Sequence, residues 1–199
     1  MTARTPTLSG LSPEQLAIVE AAAATLGVQP GALTFLLRTS NSDGLSYNGF
    51  RWPAVGGLAK PDLWMPQPSC GYGLHGYGMG EGQHAQISRD DDALWQLVAV
   101  VASEVVVIID DEDRKCKVPR AVPVCVGTRA EVIGFLLAVG ADAGAVPGGT
   151  VGATGDSGAA SATGYSGAAS ATGDSGAASA TGYRGAASAT GDSGAASAT

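Results

Sequence analysis

The sequence predicts a small α+β domain followed by a β-solenoid of nonapeptide repeats, a β-roll-like stack with about 18 residues per coil. Three observations carry that prediction. Residues 155–199 are five consecutive copies of one nine-residue unit. Earlier in the chain, two helix-capping signatures bracket several β-branched apolar runs. The composition, with 30 glycines among 199 residues and 6% aromatics, holds little bulky apolar mass for one large core. The implied layout is a helical hairpin over 1–40, an α+β domain over 41–140, a linker or first irregular coil over 141–154, and the repeat tract over 155–199.

Ser12, Pro13 and Gln15 make an S-x-x-Q capping box with proline at the first helical position, so a helix opens at Pro13 and runs to about Leu26, where Gly27 closes it. A second helix is expected from Pro30 to Arg38, before the turn-rich residues 39–49. Leu94–Ala102 and Val105–Ile109 are apolar and rich in β-branched residues, which favours strands. Lys117–Val126 offers another strand, with Pro119 and Pro123 placing it at a sheet edge. The acidic run Asp110, Asp111, Glu112, Asp113 reads as a solvated hairpin loop, with attraction of a cation as the alternative. Thr128 and Glu131 form a second capping box, opening a helix from Arg129 to Val139 with Val132, Ile133, Leu136 and Leu137 along one face.

Each repeat reads G-x-x-G-A-A-S-A-T. Its second position alternates through Asp156, Tyr165, Asp174, Tyr183 and Asp192, so the full period is 18 residues in two similar halves. Two glycines in every nine residues disfavour a helix, at about 1 kcal/mol each relative to alanine. In a strand, Ala160 and Ala162 face one side and Ala159, Ser161 and Thr163 the other. Coils stacked about 4.8 Å apart align the aspartates in one column and the tyrosines in another. The carboxylates repel by roughly 1 kcal/mol in water at that spacing, whereas stacked tyrosines gain about 0.5–1.5 kcal/mol. An alanine interior buries little surface, so backbone ladders supply most of the stability. Because the stack reaches Thr199 on a repeat boundary without a distinct cap, copies are expected to pair into homo-oligomers or filaments. Tyr165 and Tyr183 would be the contact face, beside the Asp156, Asp174 and Asp192 column. A disordered low-complexity tail is the alternative.

The segment from Tyr47 to Gln86 holds the candidate chemistry. Gly71, Gly73 and Gly76 satisfy G-x-G-x-x-G, but Pro66 and Pro68 precede them where a dinucleotide fold needs a strand. Six glycines from Gly71 to Gly82 let backbone approach a ligand closely, and Arg51, His75 and Glu81 are the candidate catalytic or ligand-binding groups. The competing reading is a glycine-rich loop whose aromatics pack on Trp52 and Trp64. Cys70 and His75 lack further partners at metal-ligand spacing, so no metal and no cofactor is expected.

With 18 acidic against 11 basic side chains and a net charge of -7, the chain is not expected to bind nucleic acid or an anionic membrane. The longest apolar stretch, Leu97 to Ile109, is interrupted by Ser103 and Glu104 and is too short to span a bilayer. The first ten residues lack the layout of a secretory leader. A cytoplasmic location is the default, with an extracellular or phage-associated assembly as the alternative. Cys70, Cys116 and Cys125, an odd number, read as thiols.

The G-F-R-W-P segment Gly49–Pro53, the C-G-Y-G-L-H-G block Cys70–Gly76, K-V-P-R at Lys117–Arg120 and the G-D-S-G-A-A-S-A-T units resemble an uncharacterised family of bacterial and phage proteins. In that family a small domain of unknown function precedes nonapeptide repeats of the type Gly-Asp/Tyr-x-Gly/Ser-Ala-Ala-x-x-Thr. The resemblance covers about residues 45–199 and implies the two-part layout without an activity. The repeats also resemble the β-roll heads of trimeric autotransporter adhesins and the calcium β-rolls of repeat toxins, although the G-G-x-G-x-D calcium signature is absent.

Three functions follow. The favoured one is a structural or interaction protein whose repeats self-associate as a β-solenoid or fibre, capped or decorated by the N-terminal domain; an enzymatic role is left open, under the second reading. The second is a small-ligand-binding or catalytic N-terminal domain with a repeat tail. The third is a flat Ser/Thr surface for ice or polysaccharide.

Overall fold

The computed structural model describes residues 6–46, 48–82, 84, 86–88, 90, 92–109, 115–147, 150–154, 159–163, 168–173, 175–181 and 185–199. They are mostly β with few helices, and the chain divides into two compact units, Met1–Gly80 with Ala85–Ala141 and Glu81–His84 with Asp142–Thr199.

In the first unit, helix α1 (Pro13–Leu26) starts on the complete capping box: the Ser12 amide donates to Gln15 Oε1 at 3.0 Å and the Gln15 amide to Ser12 Oγ at 3.2 Å. Gly27 ends it at φ 71°, in the left-handed region. The second helix expected from Pro30 does not form, and with it goes the helical hairpin over 1–40. Pro30–Ala32 is one 3-10 turn and Leu33–Ser40 is strand β1. The reason is tertiary. Seven of its eight residues are buried, which a central strand covered on both faces achieves and a helix with one inward stripe does not.

The other strands of this unit are β2 (Leu74–Gly78), β3 (Leu94–Val101), β4 (Val106–Val107), β5 (Lys115–Val118) and β6 (Val122–Gly127). All pair antiparallel in the order β4-β5-β2-β1-β3-β6. Three expectations are corrected. Val105–Ile109 pairs only at Val106 and Val107. Lys117–Val126 is two strands, β5 inside the sheet and β6 at its edge, with Pro123 opposite Val98 beside a register shift that tolerates its missing N–H. The glycine-rich segment is not all loop, because backbone pairing to β1 and β5 recruits Leu74–Gly78 into the sheet despite its weak strand propensity. The acidic run Asp110–Asp113 lies outside the described residues.

Helix α2 (Arg129–Ala138) opens on its own capping box, with the Thr128 amide donating to Glu131 Oε2 at 2.8 Å. Its buried residues are Val132, Ile133, Phe135 and Leu136, while Leu137 is exposed; at 3.6 residues per turn, Phe135 lies nearer the middle of the stripe. Both helices pack on β3 and β6. Arg120 fixes the end of α1 by donating Nη1 to the Leu26 carbonyl at 2.9 Å while its other guanidinium nitrogens hold Glu104. A further core cluster joins Leu36, Leu74, Val98, Val100 and Val118 to Trp52, Ala59 and Ala121 from the connecting segments.

In the second unit the strands are β7 (Thr150–Thr154), β8 (Ala159–Thr163), β9 (Ala168–Thr172), β10 (Ala177–Thr181), β11 (Ala186–Thr190) and β12 (Ala195–Ala198). They form two three-stranded parallel sheets, β8-β10-β12 and β7-β9-β11, so consecutive strands alternate between sheets. Each strand pairs with the one 18 residues away, in step: Ala159 opposite Ala177 opposite Ala195, and Ala168 opposite Ala186. Thr150–Thr154, in the segment read as a linker or first irregular coil, pairs with β9 in the same manner. Ala160, Ala162 and Ala178 of one sheet pack with Ala169 and Ala171 of the other. Gly173 and Gly191 stand at φ 151° and 150°, a conformation that only glycine adopts readily.

Candidate functional site

The second unit carries a regular outer surface. Strand alternation turns Ala160, Ala162, Ala169, Ala171, Ala178 and Ala180 inward. Ser161, Ser179 and Ser197 stand exposed in one column, Ser170 and Ser188 in another, and Thr154, Thr172 and Thr190 in a third. The columns are straight because the parallel register places identical residues side by side. Of the residues expected to drive self-association, Asp156, Tyr165, Asp174 and Tyr183 lie outside the described residues; Asp192 is described and exposed.

The first unit contains a cavity of about 680 Å³. It opens where β1 and β2 part. Their pairing covers only Leu36 with Gly78 and Leu37 with Tyr77, whereas β1 stays paired to β3 as far as Ser40. Arg38, Thr39, His75 and Gly76 therefore border the gap, and Phe50, Trp52, Leu63 and Tyr72 add apolar and aromatic walls.

Arg38 is 8% exposed. Its guanidinium lies 4.0 Å from the Trp52 ring centroid, donates Nη2 to Ser46 Oγ at 2.9 Å and donates Nη1 to Gln96 Oε1. Burial pulls its pKa down to about 9. Lys117 is 1% exposed and sits directly across the ladder from His75; its Nζ donates to the Gly71 carbonyl at 3.1 Å and stands 5.8 Å from the Trp64 ring. Lys115, also buried, donates to Gln86 Oε1 at 2.9 Å.

His75 is half-buried and surrounded by these cations. Burial first, then Lys115, Lys117 and Arg38, pulls its pKa down to about 4, against an opposing hydrogen bond to the Gly73 backbone. Its Nε2 is buried and has no hydrogen-bond partner among the described residues. The Gly73 bond is therefore made by Nδ1, and at neutral pH Nε2 presents a lone pair.

Of the three residues proposed from sequence, His75 alone lines this cavity. Arg51 is exposed and donates to the Asp43 carbonyl at 2.9 Å. Glu81 belongs with the second unit. Arg38 and the two lysines were missed because a charged side chain is ordinarily read as solvated, although the alternation in K-C-K-V was a signal that both lysines share one face. Among the described residues no three His, Cys, Asp or Glu side chains gather to hold a metal ion, and no helix is long and apolar enough to cross a membrane.

No family model matches the chain, and no solved structure matches. Two curated proteins are similar to it. An ice nucleation protein of Pseudomonas fluorescens is 33% identical over 101 residues, which is 51% of this chain and 8% of that protein. An ice nucleation protein of Xanthomonas campestris pv. translucens is 29% identical over 102 residues, 51% of this chain and 6% of that one. The chain thus spans less than a tenth of either relative. The cytoplasmic default is corrected by these matches, since ice nucleation proteins are displayed on the outer-membrane surface. Half of this chain resembles ice nucleation proteins.

Proposed function

We propose that the repeat tract is a β-solenoid of 18 residues per coil whose outward serine and threonine ranks order water and bind ice. The observation that carries this reading is the in-step register of exposed hydroxyls, Ser161-Ser179-Ser197 and Thr154-Thr172-Thr190, with alanines inward on the strands from Ala159 onward. Parallel strands lie about 4.8 Å apart and alternate residues about 6.6 Å apart along each strand, which makes a flat two-dimensional lattice of hydroxyl and methyl groups. A hydroxyl offers one donor and two acceptor sites, so each rank can hold a row of water at a fixed repeat. The likeness to ice nucleation proteins favours ice over polysaccharide as the surface bound. It also favours this reading over a purely structural fibre. Association of copies through the repeats belongs to the proposal, because a wider array stabilises a larger patch of ordered water.

The test uses the intact chain in droplet freezing and in uptake into a growing ice hemisphere. Wild type is expected to enter the ice and to raise the median freezing temperature above that of buffer. Thr172→Lys with Thr190→Lys, which places two charges in one exposed rank, is expected to reduce both effects. Exclusion of the wild-type chain from ice, with freezing at the buffer temperature, would overturn the proposal.

A further inference from the structure

We propose that the gap where β1 and β2 part takes up a short extended peptide of another protein, which pairs by its backbone with both strand edges and seats one apolar side chain in the cavity.

The register shows which backbone groups face the gap. Within an antiparallel ladder a residue turns its N–H and its C=O to the same neighbouring strand, and successive residues alternate. On β1 the Phe35 carbonyl accepts from the Met79 amide at 2.8 Å and Leu37 lies opposite Tyr77, so residues of this parity turn toward β2. Thr39 is the next of them. Its counterpart, two positions back along β2 from Tyr77, is His75, but the pairing stops at Leu37 and Tyr77. Thr39 and His75 therefore each turn an N–H and a C=O into the gap, and these four groups have no backbone partner among the described residues. Both edges are nonetheless held extended, β1 by β3 as far as Ser40 and β2 by β5 from Leu74 onward. Backbone groups within a sheet are ordinarily paired, and an open edge is a template for a further strand. A peptide carries donors and acceptors toward both of its sides, so it satisfies the two edges at once without any charge.

The same alternation sets the side-chain pattern of the peptide. Thr39, His75 and Tyr77 lie on one face of the sheet and Arg38, Leu74 and Gly76 on the other, and all six border the cavity, which therefore passes between the strands. On the Arg38 face Trp52 packs with Leu36 and Leu74, and Phe50 lies against them, a wall for an aromatic or large aliphatic side chain. The other face presents Thr39, His75, Gln86 and Lys115 and suits polar side chains. Three residues in the order polar, apolar, polar match both faces. The repeats of this chain offer Ser-Ala-Thr, which lacks the large central side chain, so the occupant comes from another protein. Glycine at position 76 lets the strands close up to the mouth of the gap, since a Cβ there would stand 2.9 Å from Leu36 Cβ and 3.0 Å from the Leu37 carbonyl oxygen.

Four probes separate the requirements on the intact wild-type chain, so no variant has to fold. Acetyl-Thr-Phe-Thr amide has the backbone and the ring. Its analogue N-methylated at Phe lacks the central donor, acetyl-Thr-Ala-Thr amide lacks the ring, and benzyl alcohol lacks the backbone. Calorimetric titration is expected to give saturable binding of the first, about tenfold tighter than each of the others. On saturation the Thr39 and His75 backbone amide protons should move downfield and exchange more slowly. No saturable binding of acetyl-Thr-Phe-Thr amide up to about 10 mM overturns the site. The N-methylated analogue or benzyl alcohol binding as tightly overturns the backbone pairing, and equal binding of the alanine peptide overturns the apolar seat. Saturable binding that leaves the Thr39 and His75 amides unmoved overturns the placement in the gap. Dimerisation of the chain alone with these two amides shifted makes the occupant a second copy and overturns its assignment to another protein.

Discussion

The two units are both built from β-strands and stabilise them by opposite means. In the first unit, the central strand β1 pairs with β2 and β3 from distant parts of the chain, and the sheet faces carry Phe35, Leu36, Leu37, Leu97 and Val98, each at most 1% exposed. In the second, neighbouring strands are 18 residues apart and the buried side chains of the repeats are alanines. Burial of a large aliphatic or aromatic side chain contributes about 1.5–3 kcal/mol, several times what a methyl group gives. The first sheet is therefore held by side chains and tolerates a place where two strands part, and there its cavity lies. The repeats rely on ladders between identical strands, whose in-step register yields a surface lattice.

That contrast predicts opposite sensitivities. Phe35→Ala in the first unit removes a fully buried ring and should cost about 3–5 kcal/mol, read as a lower denaturation midpoint. Ala171→Leu in the second unit should cost about 1–3 kcal/mol by overpacking, since Ala171 is 1% exposed and a Cβ built on Gly176 already falls 3.3 Å from its Cβ. Equal tolerance of Ala171→Leu and Ala171→Gly would break the comparison, because it would mean that the repeat interior is loosely filled.

What could be read from the sequence divides along the same line. The two capping boxes need only residues three apart, and the inward and outward sides of AASAT need only alternation; both hold in the structure. Residues 33–38 carry a helical signal in sequence yet form strand β1, because their burial comes from β2 and β3, whose paired residues lie more than 35 positions away. Leu74–Gly78 reads as loop because two glycines and a histidine in five residues do not signal a strand; pairing on both sides imposes one. His75 was found from its residue type. Arg38 and Lys117 were not, because their environment exists only after β1, β2 and β5 are assembled.

A local feature should have a local and smaller effect. Thr128→Ala removes the hydroxyl that accepts from the Glu131 amide and should cost about 1 kcal/mol. The same hydroxyl donates to Glu131 Oε2 at 2.7 Å and, with the Thr128 amide donating at 2.8 Å, holds the Glu131 carboxyl below its usual range. In the variant its pKa should therefore move up toward the ordinary glutamate value, which a carboxyl ¹³C titration would follow. An unchanged Glu131 titration would show that the reciprocal cap contributes nothing at this helix start.

The weakest expected effect belongs to His75 and separates the units by pH. Folding lowers its pKa from the ordinary 6.5 to about 4, so the unfolded chain takes up the proton first. Its contribution to stability is complete above pH 6.5, declines as the pH falls toward about 4, and does not decline further below that. Solvent access to the half-buried ring keeps the effect modest. The repeat strands, made of Ala, Ser and Thr from Ala159 onward, hold no side chain that titrates in this window. The difference in denaturation midpoint between wild type and His75→Gln should therefore change between pH 6.5 and 4 and level off on either side. A difference that stays constant through that range would mean that His75 is not held neutral by its burial and the cations around it.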